Sequence, residues 1–170
     1  MNKAKWFERT FPPIEDASVL PNILERLAGT PARLSEFISE LNVETLEFKH
    51  DGRWSIKEEI GHLADLEPLW LGRVEDFLNS EKVLRAADLT NRRTHEANHN
   101  QAEIGLLLHN FRQQRSALVA ILRGLPDEIL HKTALHPRLQ TPMRVADHAF
   151  FVAEHDDHHM AAVQEIIDRK

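Results

Sequence analysis

The sequence predicts an all-α protein in which four long helices form a bundle. Apolar residues recur at helical spacing over most of the 170 residues, and no segment shows the alternation of β-branched residues that a sheet requires. Two long polar connections separate the amphipathic segments, as in bundles with crossover links. A chain of this length has the size of one domain, so residues 1–170 are expected to form a single unit with its own core.

The first helix is predicted after an irregular N-terminal segment, residues 1–20. The segment Gly29-Thr30-Pro31 interrupts its pattern, so the helix is either kinked or restarted there, with Thr30 as the cap and Pro31 in the first turn. The apolar face of this helix consists of Ile23, Leu24, Leu27, Leu34, Phe37, Ile38 and Leu41.

The second helix has the best-defined start in the chain. Ser55 and Glu58 have the spacing of a capping box, in which the two residues satisfy each other's backbone amides. The helix is predicted to end near Asn79, with a bend at Pro68, which removes one backbone hydrogen bond. A polar connection follows over residues 85–101, and long connections of this kind are often functional or cross over a bundle.

The third helix is predicted to open at Asn100 and to stop at Gly124, and the fourth to run from Thr141 to about Ile167. Asn is a favourable N-cap residue and Gly a common helix stop. Thr141 followed by Pro142 has the chemistry of an N-cap and a first helical residue. These two residues predict the start of the fourth helix.

Composition excludes several classes of function. The chain has no cysteine, which rules out disulfides, thiolate zinc sites and a cysteine nucleophile. A protein-bound metal would need His, Asp or Glu ligands. The 21 basic and 27 acidic residues are scattered, without the block of Lys and Arg that tracks phosphates, so we expect no nucleic-acid partner.

No part of the sequence indicates a membrane or export segment. The N-terminus lacks the uninterrupted apolar stretch of a signal peptide. No run approaches the roughly 18 apolar residues of a membrane-spanning helix. We therefore expect no membrane partner and a cytoplasmic location.

Eleven histidines are many for this length, and three of them suggest a metal site. His155 and His159 are one turn apart on the fourth helix, so their imidazoles can reach one ion. His148 lies on the same face, within an arc of roughly 40°, whereas His158 points elsewhere. His62 on the second helix is directed toward a neighbouring helix and is the candidate third ligand.

The alternative is that the histidines are ordinary surface residues. A pair with this spacing occurs by chance on amphipathic helices, and His95 and His99 repeat it in a polar connection where a metal site is not favoured. His148 is either a partner of the ligands, a base near the substrate, or a histidine at the edge of the core. The isolated histidines are expected at the surface or in loops: His50, His109, His131 and His136.

Three segments resemble the DinB/YfiT-like superfamily. They are LERLAGTPARL at 24–34, WSIKEEIGHLADLE at 54–67 and AEHDDHHMAAV at 153–163. The resemblance implies a four-helix bundle with up-down-down-up topology and a metal held by three histidines, which correspond by position to His62, His155 and His159. Many members carry Gln three residues after the last histidine, where this chain has Ala162, and Gln164 follows two residues later.

The resemblance also implies a metal-dependent enzyme with zinc or nickel, and a homodimer. A site of three imidazoles leaves at least one coordination position open, as catalytic sites do. The favoured reaction is transfer of a low-molecular-weight thiol, such as bacillithiol, mycothiol or glutathione, to a small electrophile. The alternatives are a metal-dependent hydrolase and a non-catalytic metal-binding or dimerising stress-response module. Four carboxylates are candidates for orienting the histidines: Asp65, Glu58, Asp156 and Glu154.

Overall fold

Four long helices form the body of the protein. A computed structural model describes residues 4–170, and within this range no helix combines the length and apolar character needed to cross a bilayer. The all-α prediction is confirmed. The first to fourth bundle helices are Leu20–Ile38, Ile56–Leu78, Ile104–Arg123 and Val145–Ile167. Short helices cover Trp6–Glu8, Ala17–Val19, Val43–Glu47, Arg92–Glu96, His99–Gln101 and Asp127–Leu130.

The bundle has the expected up-down-down-up topology. The first and second helices each pack against the third and the fourth. The second and third helices begin at the same end, where Ser55 Oγ donates to Asn100 Oδ1 at 2.6 Å. The first and fourth begin at the other end, where the amide of Ile14 donates to Asp147 Oδ1 at 2.7 Å. The start of the second helix consequently lies beside the end of the fourth.

The first helix is continuous through Pro31, so neither a restart nor a cap occurs at Thr30. Thr30 is buried and its hydroxyl donates to Asp156 Oδ2 at 2.8 Å. Proline lacks the amide that would bond to the carbonyl four residues earlier, that of Leu27. Arg115 Nη1 donates to this carbonyl at 3.2 Å, and the bond from the third helix replaces the one that Pro31 cannot make.

A layer of buried charge divides the apolar core into two parts. Arg115 is 1% exposed and donates to Glu67 Oε1 at 2.6 Å and to Asp156 Oδ1 at 3.0 Å. Burial acts to lower the pKa of Arg115, but the two carboxylates outweigh it and hold the pKa above its ordinary value. One core cluster, around Phe77, lies on one side of this layer, and the other, around Phe111, lies on the other side.

The third helix begins at Ile104, later than expected. Its N-cap residue is Glu103, and Asn100 lies in the preceding short helix. Asn100 does not cap the helix because its side chain accepts a hydrogen bond from Ser55, while its carbonyl accepts one from Lys57 Nζ at 3.2 Å. The capping box of Ser55 with Glu58 is present as predicted.

The fourth helix begins at Val145, and the predicted start at Thr141 and Pro142 is wrong. Pro142–Met143 forms a short antiparallel pair with Ala134–Leu135, a small sheet that the sequence did not predict. Strand pairing keeps these residues extended, so the helix can begin only after them. Asp147 Oδ2 then accepts a hydrogen bond from the amide of Arg144 at 2.8 Å, which closes the first turn of the fourth helix.

We predict that Arg115→Met lowers the free energy of unfolding by about 3–5 kcal/mol, because it leaves two buried carboxylates without their cation. Arg123→Met is the matched control, since Arg123 makes an exposed ion pair with Glu25 and should lose no more than about 1 kcal/mol. Urea unfolding followed by circular dichroism measures both. Equal losses in the two variants would contradict a stabilising role for the buried layer.

Candidate metal centre

The structure brings His62, His155 and His159 together. All three are buried, and one nitrogen from each lies within 4.8 Å of the other two. The Nε2 atoms of His155 and His159 are 3.1 Å apart, close to the roughly 3.3 Å expected for two imidazoles on one tetrahedral ion. The second helix supplies His62 and the fourth helix supplies His155 and His159. They meet because the start of the second helix lies beside the end of the fourth.

Hydrogen bonds to the Nδ1 atoms of two rings define which nitrogens face the centre. Thr94 Oγ1 donates to Asp65 Oδ2 at 3.0 Å, so it accepts from His62 Nδ1 at 2.9 Å. His159 Nδ1 lies 2.5 Å from Glu59 Oε2 and donates to it. A neutral imidazole has one proton, so the Nε2 lone pairs of both rings point toward the centre.

Asp65 connects His62 to the long polar connection. Besides the hydrogen bond from Thr94, its carboxylate accepts hydrogen bonds from His99 Nε2 at 2.8 Å and from Arg93 Nε at 3.1 Å. Burial raises the pKa of Asp65, but the hydrogen bonds from His99 and Thr94 outweigh it, so the pKa lies below its ordinary value. The carboxylate therefore remains ionised and orients Thr94 toward His62.

Electrostatics keep His62 and His155 neutral. Burial, followed by the charges of neighbouring imidazoles, lowers the pKa of His62 to about 2. The same two causes lower the pKa of His155 well below its ordinary value. The buried Nδ1 of His155 has no hydrogen-bond partner among the residues that the structure describes. Neutral imidazoles are the form that a metal ion requires.

Of the four carboxylates expected to orient the histidines, only Asp65 does so, and it acts through Thr94. The other three carboxylates form ion pairs with basic side chains. Glu58 pairs with Lys49, Glu154 with Arg9 and Arg26, and Asp156 with Arg115.

Sequence reasoning missed Glu59 and Thr94, which contact the histidines directly. Glu59 precedes His62 by three residues on the same helix, and this spacing was the available signal for a carboxylate near the site. Thr94 had no such signal, since it lies in the polar connection. There His95 is exposed as expected, whereas His99 is buried, contrary to expectation, because it packs over Gly61 and bonds to Asp65.

The remaining histidines do not join the cluster. His148 is buried between the rings of Trp70 and Phe77, at centroid distances of 6.0 and 6.2 Å, away from the other three. His136 is buried as well, although a surface or loop position was expected, because its loop folds over the fourth helix and its ring packs on Phe151 at 4.9 Å. Gln164 is exposed and bonds to Asp168.

A cavity of about 360 Å³ adjoins the histidine cluster. Its walls include the aromatic rings of Trp6, Trp54, Trp70 and Phe151. The ring of Trp6, from the segment before the first bundle helix, packs on His155 at 5.1 Å. The cavity is large enough for a small organic molecule in contact with the histidines.

Fold and site together define a class of helical bundle with a buried three-histidine cluster at the base of an aromatic cavity. The sequence model of the DinB superfamily matches residues 26–163 of this chain. The chain belongs to the DinB superfamily.

Among solved structures, the chain is similar to YfiT from Bacillus subtilis, described as a probable metal-dependent hydrolase with an unusual four-helix bundle topology. The two share 21% identity at a TM-score of 0.81, over 95% of this chain and 94% of that one. At this identity the likeness concerns the fold. Among curated proteins, none matches this chain.

We predict opposite effects of alanine at two helical glycines. A Cβ at Gly61 would overlap the ring of His99, so Gly61→Ala should lower the free energy of unfolding by about 1–3 kcal/mol. At Gly29 no atom lies within 4 Å of the added Cβ, and Gly29→Ala should raise stability by up to about 1 kcal/mol. Denaturant unfolding gives both values. A stabilised Gly61→Ala protein would show that His99 does not need its position over the helix.

Proposed function

We propose that the protein is a metal-dependent enzyme in which His62, His155 and His159 hold one divalent transition-metal ion. The observation that carries the proposal is the direction of the ring nitrogens. Thr94 and Glu59 occupy the Nδ1 atoms of two rings, which leaves the Nε2 lone pairs directed at a common point. A metal cation at this point would satisfy these buried lone pairs.

Zinc and nickel both suit imidazole ligands, and either ion fits this donor set. The three histidines would hold such an ion with fewer than four protein ligands, as catalytic sites do. When bound, such an ion supplies a Lewis acid that lowers the pKa of a thiol or of water. Glu59 and Thr94 keep the rings of His159 and His62 oriented by hydrogen bonds.

Transfer of a low-molecular-weight thiol to a small electrophile is the reaction that we propose. The walls are largely apolar, and among the lining residues that the structure describes the one carboxylate is that of Asp88. Asp88 is exposed and accepts hydrogen bonds from the amide of Thr90 and from its hydroxyl. It is therefore poorly placed as a general base for water, whereas a thiol acidified by the ion requires none. The chain has no cysteine, so the thiol is a second substrate.

Hydrolysis is the second candidate, and the likeness to YfiT, a protein described as a probable metal-dependent hydrolase, favours it. The same histidines and cavity would serve both reactions. The two differ in whether a thiol is required for turnover. The homodimer expected from the family resemblance also remains a prediction.

We predict that His155→Ala and His62→Ala lose most of the bound metal while their helical circular-dichroism signal persists, because two imidazoles make a weak site. His95→Ala is the matched control, since His95 is exposed in the polar connection and lies outside the cluster. Metal per chain is measured by mass spectrometry on protein purified without a histidine tag. Full occupancy in either cluster variant would contradict the assignment.

We predict that the metal-loaded protein consumes a model electrophile such as chlorodinitrobenzene only when a low-molecular-weight thiol is present, and that His159→Ala abolishes this activity. The reason is that an ion held by His62, His155 and His159 would lower the pKa of the thiol, and His159→Ala removes one of the residues that would hold it. Simple esters and amides are tested in parallel, without thiol. Ester cleavage that needs no thiol and is lost in His159→Ala would instead establish the hydrolase. A metallated protein that is inactive throughout both panels would favour the non-catalytic metal-binding module.

A further inference from the structure

The wall of the cavity away from the histidine cluster is basic. It contains Arg73 from the second bundle helix and His136 and Arg138 from the loop between the two short strands, and we call these three residues the basic wall. Arg73 follows His62 by eleven residues, which is three helical turns, so both side chains leave the same face about 16 Å apart along the axis. Long helical side chains lean toward the N-terminus, which brings the guanidinium closer to the cluster.

Arg73 is nearly fully buried without an ion pair. Its Nε donates to the carbonyl of Arg85 at 3.0 Å, and among the described residues no carboxylate lies within ion-pair distance of its guanidinium. The nearby Asp76 pairs with Arg85 instead. Burial lowers the pKa of Arg73 to about 10, so the group is still charged at neutral pH. A buried cation without a counter-ion is costly and is typical of a binding site for an anion.

The ring nitrogen of His136 that lies nearest Arg73 carries a proton. Its Nδ1 accepts the backbone amides of Arg138 at 3.3 Å and Leu139 at 3.2 Å. The neutral ring therefore carries its proton on Nε2, which lies 3.2 Å from Arg73 Nη1. Burial, followed by the charges of the two arginines, lowers the pKa of His136 to about 3 and keeps it neutral. Arg73 Nη1 and His136 Nε2 are then both hydrogen-bond donors, and one acceptor bound beside them can accept from both.

Arg138 adds a third donor without a partner. Its Nη2 is buried and makes no hydrogen bond within the part of the chain that the structure describes. Its guanidinium lies over the ring of Phe7, 5.3 Å from the centroid, and burial lowers its pKa. The aromatic contact fixes the plane of the guanidinium while leaving its nitrogen–hydrogen edge available.

We propose that the cavity binds a small organic carboxylate with a flat apolar body, whose carboxylate is held by the basic wall. A planar carboxylate matches the paired donors of a guanidinium and can accept from His136 Nε2 as well. Its body lies between Trp6, Trp70 and Phe151, which separate the basic wall from His155. The opposite end of the molecule faces the histidine cluster. This inference rests on the proposed function only for the statement that this end is the reacting one.

The test uses binding to the full chain, both metal-free and zinc-loaded. All three tryptophans of the chain line the cavity, so a brominated ligand that enters it quenches tryptophan fluorescence. The probes are bromonaphthoate and its neutral counterpart bromonaphthamide. We expect metal-free protein to bind the carboxylate at least about tenfold more tightly than the amide, which corresponds to about 1.4 kcal/mol.

Arg138→Gln should remove this preference, and Arg138→Lys should retain part of it. Arg112→Gln is the matched control, because Arg112 is exposed on the third bundle helix and does not line the cavity. It should bind both probes as the unaltered chain does. Arg73→Lys keeps the buried charge, and it should weaken binding of the carboxylate probe without changing binding of the amide probe.

Three results would overturn the proposal. One is equal affinity for carboxylate and amide. Another is a preference that survives in Arg138→Gln, and the third is carboxylate binding that appears only after zinc is added, since the anion would then lie on the metal. If the unaltered protein binds no metal, the proposed function is refuted, but the probe affinities of metal-free protein are unaffected. Failure of the proposed function and failure of the carboxylate proposal are therefore distinguishable.

Discussion

The buried guanidinium of Arg115 is the interaction on which the packing of all four helices depends. It joins Glu67 of the second helix to Asp156 of the fourth, and it also bonds to the Leu27 carbonyl that Pro31 leaves without a partner in the first. Each of these contacts has one geometry, whereas apolar side chains can slide past each other. The layer therefore fixes the relative height of the helices. The second and fourth helices need that precision, because the histidine cluster is built between them.

The cluster also depends on a segment outside the helices. The polar connection supplies Thr94 to His62, and it places His99 over Gly61, where only a glycine leaves room for the ring. His99 in turn donates a hydrogen bond to the Asp65 carboxylate, which also accepts one from the Thr94 hydroxyl. A connection that the sequence shows as polar and irregular thus orients one ring of the histidine cluster, and long connections in compact domains are often functional.

Local patterns predicted much of the fold. The capping box at Ser55 and the shared face of His155 and His159 follow from residue spacing within one helix, and both were identified from the sequence. The start of the fourth helix was not, because strand pairing around Met143 competes with the helical signal of Thr141 and Pro142. The spacing within one helix also does not reveal which carboxylate of another helix will face a ring. Glu59 and the buried His136 were therefore missed, and only the packed bundle brings Glu59 to His159 and His136 to the cavity.

The segment that carries Trp6 has a consequence for the evolution of specificity. It lies before residue 26, outside the region that the family model matches, yet it forms a wall of the cavity and rests against a ring of the histidine cluster. It is attached to the fourth helix through Arg9 with Glu154 and Ile14 with Asp147. Mutations in this segment can reshape the cavity while the bundle and its histidine cluster stay unchanged. Relatives with identical histidines can therefore differ in what they accept, and their classification by the shared core would not detect it.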